Sequence, residues 1–393
     1  MECYMVPPNR VKTEPQSVIK PSADSIQLSD SHKEFNMTTR RNFLSFLSAL
    51  GTYNVLPKCQ ALSGAAKIKV GQIGTKHAHA SGKIGTARKY SELYEFVGVV
   101  EPDDTQWNRV KDSAPYKGVA RMTHEQLLNV KDLQFVCIET EVKNLIDAAQ
   151  ICVSAGKHIH LDKPAGVNYS GFEKVIATAK KNKVLVQMGY MFRYNPGFQF
   201  IFNSIKQGLL GDVFEVDGVI SKKIGDATRK QLAEYAGGTM FELGCHLIDS
   251  LHVAMGTPDR VTAFPRTTYP DKDSLVDNML AIFDYPKATA TIRSAMIEVD
   301  GFRRRQFIVV GSEGTIILRP LEKPVLELTL EAAKDGQAKG SHFVKLPTLE
   351  GRYDGDFLEM AAVLKGEKEF PFSYQHDLDV QKSVLLGSGI KLT

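Results

Sequence analysis

Glu242, His246 and Asp249 are spaced i, i+4 and i+7 within the run 237–249. In an α-helix that spacing puts a carboxylate, an imidazole and a second carboxylate on one face. A carboxylate one turn from an imidazole fixes its tautomer and raises its basicity, which suits a general base taking a hydroxyl proton during hydride transfer. The same three groups could hold zinc, but no fourth ligand is signalled and no metal is assigned. Lys163 follows a short apolar run and Asp162, and Pro164 restrains it. Its ammonium would polarise the reacting oxygen and stabilise a developing alkoxide. Lys163, His246 and Glu242 are therefore the expected catalytic groups.

The elements that must position these groups alternate. Short apolar runs at 68–73, 96–100, 135–138, 159–161 and 184–188 read as strands. Helical patterns at 144–155 and 169–181 separate them, with a shorter one at 123–128 and a loop and helix before Tyr90. That alternation predicts a parallel, doubly wound sheet with ligands at the carboxyl ends of its strands. After Pro196 the texture changes. Helices at 197–207 and 239–255 flank a strand at 212–221 and the insertion 221–236. Strand-like runs follow at 260–264, 277–284, 288–295, 306–310, 315–318, 325–330 and 343–346, joined by tight turns. Sequential strands with short links pair antiparallel. The fold class expected is α/β: a Rossmann sheet over 67–190, then an α/β domain over 191–393 with an open, mostly antiparallel sheet. Its last helices, at 354–365 and after His376, close the chain and are free to pack back on the first sheet.

A dinucleotide site wants three glycines after the first strand, so that backbone can approach a pyrophosphate at a helix N-terminus. Gly74 holds the first position and Thr75 follows, but Lys76 and His79 replace the second and third glycines. Lys76 offers a cation to the pyrophosphate or blocks its approach. His77 and His79 have an open role: pyrophosphate contact, substrate contact or helix capping. Glu101 ends the second strand, where a carboxylate binds ribose hydroxyls, and Pro102 rather than an arginine follows it. The cofactor expected is NAD rather than NADP.

The stretches 155–164, 189–196 and 237–249 appear in that order, and together they closely resemble the motifs of the Gfo/Idh/MocA family of sugar and polyol oxidoreductases. The resemblance runs from about Lys67 to the C-terminus. It implies an active site between the two domains, with Lys163 contacting substrate and aiding proton transfer. Glu242 and His246 fall on the family's acid–histidine pair, with Glu in place of the usual Asp. Thr140, Asp162, Lys163 and Arg193 join Gly74, Thr75, Lys76, His77 and Glu101 as cofactor-binding positions. Tyr194, Asp249, Lys163 and His246 face the substrate. The expected activity is oxidation or reduction of a secondary alcohol of a sugar or polyol. Two alternatives stay open. One is glycoside hydrolysis through transient oxidation by tightly bound NAD; the other is a non-catalytic binding protein with a degenerate cofactor site.

Composition narrows the partners. The 393 residues carry 49 Lys and Arg against 45 Asp and Glu, and 7 basic and 5 acidic residues precede residue 67. The rest is nearly neutral, which excludes a nucleic-acid partner. No apolar run is long enough for a stable membrane span, and five unpatterned cysteines exclude a disulfide scaffold. Residues 1–36 are polar and aperiodic, which predicts disorder. Met37, a second candidate start, leads into Arg40-Arg41 and Phe43-Leu44, then a modestly apolar stretch ending near the small residues 63–65. This resembles a twin-arginine signal, so residues 1–66 are expected to be leader and the protein periplasmic; without a working signal it is cytoplasmic. Twin-arginine export carries folded proteins, which would let a tightly bound cofactor travel along. An open, partly apolar sheet predicts a homo-oligomer.

Overall fold

Ile68–Ile73 (β1), Tyr94–Val100 (β2), Arg121–Met122 (β3), Leu133–Ile138 (β4), His158–Leu161 (β5) and Val186–Met188 (β6) form one parallel sheet. Its strand order is β3-β2-β1-β4-β5-β6. These strands come from a computed structural model, which describes residues 66–234, 236–348 and 351–392. The twin-arginine pair Arg40-Arg41, the start at Met37 and the cleavage region 63–65 lie outside the described residues.

Helices cover both faces of this sheet, so its strands can be apolar throughout; in β4 only Gln134 is exposed. The crossover helices are Ala80–Lys89 (α1), Asp104–Val110 (α2), His124–Leu128 (α3), Leu145–Ser154 (α4) and Tyr169–Asn182 (α5). Thr123 and Gln126 form a reciprocal capping box at α3, and Asn168 caps α5 by accepting from Gly171. Helix α2 and strand β3 escape the sequence reading because α2 buries no residue and β3 has only two residues. Strand order reverses between β1 and β4. At such a switch point the connections that follow the two strands part and leave a crevice for ligands at their carboxyl ends.

The second sheet has eight strands in the order β14-β13-β12-β11-β7-β10-β9-β8. They are Val213–Ser221 (β7), Arg260–Arg266 (β8), Asn278–Tyr285 (β9), Ala288–Ala295 (β10), Gln306–Gly311 (β11), Gly314–Leu318 (β12), Leu326–Leu330 (β13) and Gly340–Val344 (β14). Every pairing is antiparallel except β7 with β10. The α/β class and the parallel-plus-antiparallel division are thus as expected. In β9, buried and half-buried residues alternate strictly, the signature of a sheet with one packed face. Pro196–Lys206 (α6) and Cys245–Met255 (α8) pack against the sheet, and residues 245–252 of α8 are all buried.

Two findings depart from the sequence reading. The insertion 221–236 contains a helix, Asp226–Ala233 (α7), held down by buried Arg229, which bonds Asp273 at 2.7 Å and Asp277 at 2.9 Å. The predicted continuous helix 239–255 is interrupted, with a widened π turn over Met240–Gly244 before α8 begins.

The chain then returns to the first sheet. Asp354–Leu364 (α9) seats Phe357 against Tyr94 and Phe135, edge to face, with ring centres 5.5 and 5.9 Å apart. Each such aromatic pair adds about 0.5–1.5 kcal/mol beyond burial. Tyr94 Oη also donates to the Phe357 carbonyl at 2.6 Å. The last helix, Tyr374–Gly387 (α10), packs on both α5 and α8. One apolar cluster therefore runs from β4 and β5 through Tyr190 and Phe192 to α8 and the second sheet. The crevice edge is held from both sides.

Candidate active site

Gly74 ends β1 with φ +86°, a conformation that favours glycine. A Cβ there would lie 2.7 Å from the Glu139 carbonyl oxygen and the Thr140 backbone, so only glycine lets β1 and β4 end this close. Thr75 turns back onto Glu101: its N–H and hydroxyl donate to Oε2 at 3.0 and 2.7 Å. The other oxygen of Glu101 accepts from Asp103 N–H at 3.1 Å. Glu101 thus pins the loops after β1 and β2 while keeping lone pairs for a further donor. Gly74, Glu101, Pro102, Thr140 and Glu141 line a cleft of about 350 Å³ at these strand ends. Half-exposed Lys76 crosses its mouth, 3.0 Å from Asp103 and 3.6 Å from Glu141.

A dinucleotide suits this backbone. The cradle a Cβ would fill is left open at Gly74, and the peptide N–H groups of Lys76 and Ala78 have no partner among the described residues. Unpaired N–H groups before a helix N-terminus attract phosphate oxygens. Gly74, the loop 75–78, Glu101 and Thr140 would hold the group.

Beside the cleft, His77 and His79 converge on carboxylates at the ends of β4 and β5. His77 Nδ1 lies 3.2 Å from Asp162 Oδ2 and 3.6 Å from Glu139 Oε2. His79 Nδ1 lies 3.0 Å from the same Asp162 oxygen. Burial disfavours a charged His77, but Asp162 and Glu139 outweigh it and lift the ring to about 10. For His79 burial wins, lowering it to about 4 despite Asp162. His79 stands at the N-cap of α1, and its side chain makes no capping bond there.

Lys163 is buried one residue on. Its Nζ donates to the Glu242 carbonyl at 2.8 Å and to Glu242 Oε1 at 3.3 Å. Burial lowers the affinity of this amine for its proton, yet the Glu242 carboxylate more than restores it, so Lys163 is held as an ammonium. Gly238 (φ +53°) directs this segment: a Cβ there would meet the Val276 carbonyl oxygen at 2.1 Å. His246 lies beyond the π turn, between Tyr190 and Phe192, with ring centres 6.2 and 5.6 Å away. Burial first, then Lys163, push it well below the usual histidine range, so it is neutral. Its Nδ1 is buried and has no hydrogen-bond partner in the described structure.

Glu242 and His246 do not pair through Nδ1: Glu242 accepts from Lys163, and His246 Nδ1 has no hydrogen-bond partner. Asp249 is fully buried and receives Arg193 Nη2 at 2.6 Å, and Arg193 Nη2 also bonds Asp377 at 2.7 Å. Arg193 and Asp249, expected at cofactor and substrate, bond each other in this internal network. Tyr194 donates to Glu359 at 2.6 Å and accepts from Gln187 at 3.2 Å, which ties α9 to β6.

Three side chains at the site were missed from sequence. Glu139 is completely buried and neither carboxylate oxygen has a hydrogen-bond donor. An acid directly after the apolar run of β4, at a strand's carboxyl end, was the available signal. Arg352 reaches His79 Nε2 at 3.4 Å, and Lys222 adds positive potential near Glu242 and Lys163. Neither carries a local signal, because each lies beside the site only through the return of the chain.

Comparison with known proteins gives the same outline. Residues 68–190 match a model described as an oxidoreductase family, NAD-binding Rossmann fold, and residues 198–317 match the GFO/IDH/MocA C-terminal domain. The trans-1,2-dihydrobenzene-1,2-diol dehydrogenase of Bos taurus is 25% identical over 166 residues, 42% of this chain and 49% of that protein. The chain thus matches about half the length of that relative. The oxidoreductase YdgJ of Escherichia coli K12 is 25% identical over 342 residues, 81% of this chain and 95% of YdgJ. Two solved structures share the fold. The aldose-aldose oxidoreductase of Caulobacter crescentus, complexed with glycerol, has a TM-score of 0.69 at 17% identity, covering 82% of this chain and 98% of its own. The WlbA dehydrogenase of Bordetella pertussis, complexed with NADH and UDP-GlcNAcA, has a TM-score of 0.67 at 16% identity, covering 82% and 95%.

Proposed function

The chain belongs to the GFO/IDH/MocA oxidoreductase family, with an NAD-binding Rossmann domain, and from that premise we propose that it oxidises or reduces a secondary alcohol of a sugar or polyol. The observation that carries this reading is a buried ammonium, Lys163, whose charge acts on a neutral imidazole, His246, with no hydrogen-bond partner at Nδ1. When bound, nicotinamide supplies the hydride acceptor or donor. Lys163 polarises the alcohol oxygen, and its ammonium stabilises the negative charge that grows there. His246 takes the hydroxyl proton as the alcohol becomes a carbonyl, or returns it in the reverse direction. Glu242 holds the ammonium in place and keeps it charged; it does not orient the imidazole, as its spacing had led us to expect.

NAD is favoured over NADP because Glu101 puts a carboxylate at the end of β2, where a 2′-phosphate would meet like charge. The relatives named above include a dihydrobenzenediol dehydrogenase, an aldose-aldose oxidoreductase and a dehydrogenase complexed with UDP-GlcNAcA, which supports a hydroxylated ring as the substrate. Export by the twin-arginine route, with a tightly held cofactor, and homo-oligomerisation belong to the same proposal. The mass spectrum and absorbance of the purified protein, followed by reaction with a panel of sugars and polyols, test it. Bound NAD that is reduced by a member of the panel is the expected result. Absence of nicotinamide, or hydrolysis of an aryl glycoside with no net redox change, overturns the dehydrogenase reading.

A further inference from the structure

We propose that His77, His79 and Asp162, backed by Glu139, form a binding site for one divalent transition-metal ion of the zinc type. The first argument is spacing. Ligand bonds of about 2.0–2.1 Å at tetrahedral angles place donor atoms roughly 3.3 Å apart. The donor pairs here lie at 3.2 Å (His77 Nδ1 to Asp162 Oδ2), 3.0 Å (His79 Nδ1 to the same oxygen) and 3.6 Å (His77 Nδ1 to Glu139 Oε2). All three ligand atoms of His77, His79 and Asp162 fall within 4.8 Å of one another.

The second argument is burial: Glu139 is fully buried 3.6 Å from His77 Nδ1, and neither of its carboxylate oxygens has a hydrogen bond. A buried carboxylate without a donor is costly unless a cation meets it. Buried Lys83 places its Nζ 2.5 Å from His160 Nε2.

The chemistry of the set, two imidazoles with carboxylates, selects zinc, cobalt, iron or manganese over magnesium and calcium, which prefer all-oxygen shells. The ligands stand on rigid supports: Glu139 and Asp162 directly follow β4 and β5, and His77 is tied to β4 by its N–H to the Glu139 carbonyl at 3.2 Å. A metal on His79 Nδ1 leaves a proton on Nε2. Exposed Arg352, now 3.4 Å from that atom, turns away on binding.

The site stands on its own geometry and does not require the dehydrogenase reading. Calorimetric titration of chelator-treated, full-length protein with zinc tests it, with cobalt(II) absorption as a second readout of the ligands. One zinc per chain is expected, with His77→Ala and His79→Ala each weakening it by about 100-fold or more and His342→Ala without effect. Nicotinamide content is measured on the same samples, so that a lost cofactor is not read as a lost metal. If an alanine variant fails to fold, glutamine at that position preserves bulk without supplying an imidazole. Absence of saturable zinc binding to the wild type, or full affinity in both the His77 and His79 variants, overturns the proposal.

Discussion

Lys163 Nζ donates to both the backbone carbonyl and the carboxylate of Glu242, at 2.8 and 3.3 Å, and so joins the end of β5 to the π turn before α8. The two residues lie 79 positions apart in the chain. A charged donor held by one carbonyl and one carboxylate is pre-oriented, so little reorganisation remains for the moment when charge develops on a substrate oxygen.

Lys163→Met and His246→Ala each lower kcat by about 10²–10⁴-fold while the protein retains its fold and nicotinamide, since one removes the polarising cation and the other the base. Turnover assays beside cofactor extraction check this. Near-wild-type turnover of the His246 variant would move the proton to another group.

Glu242→Gln leaves burial to act on Lys163 without the carboxylate that opposes it. The ammonium is then lost at lower pH, so the alkaline limb of kcat/KM moves down relative to wild type. An unmoved alkaline limb would show that the ionisation of Lys163 does not control activity.

Asp249→Asn tests a structural rather than a substrate role. Removing one partner of a buried ion pair costs about 3–5 kcal/mol when the remaining charge is left unpaired; Arg193 is fully buried here but keeps Asp377, which puts the expected loss at the lower end, about 3 kcal/mol. The urea midpoint should fall by that equivalent while KM of the folded protein is nearly unchanged. A large rise in KM without loss of stability would return Asp249 to the substrate site.

Asp356 is fully buried in α9, and burial raises its carboxyl from 3.8 to about 6. Below pH 3.8 both folded and unfolded chains hold the proton; between 3.8 and about 6 only the folded chain holds it. Stability therefore falls as pH rises through that window, by roughly 3 kcal/mol for this one group. Asp356→Asn should be more stable than wild type at pH 7, with the advantage gone near pH 4. Denaturant midpoints at the two pH values decide it; an equal gain at both would assign the effect to packing.

Much of the architecture was legible because it is local. Apolar runs of strand length alternating with capped helices announce a parallel sheet, and the close sequence of strands after residue 257 announces an antiparallel one. Helix α2 and strand β3 bury too little to leave a pattern, and α7 is held by Arg229 reaching carboxylates more than 40 positions away. The site divides in the same way. Gly74, Glu101, Lys163 and the glycines before residue 239 were readable, since a positive φ, a strand end or a fixed spacing marks each. The partners were not. The i, i+4, i+7 spacing is local, whereas the partners come from elsewhere in the chain: Lys163 bonds Glu242 and Arg193 bonds Asp249. His77 and His79 were conspicuous in the chain but had no assignable role, because their partners follow other strands; His79 and Asp162 are 83 residues apart. Side-chain type and spacing determined which chemical groups this protein has at its strand ends. The order of strands in the sheet decided which of them meet, because β1, β4 and β5 become neighbours only when the sheet closes around them.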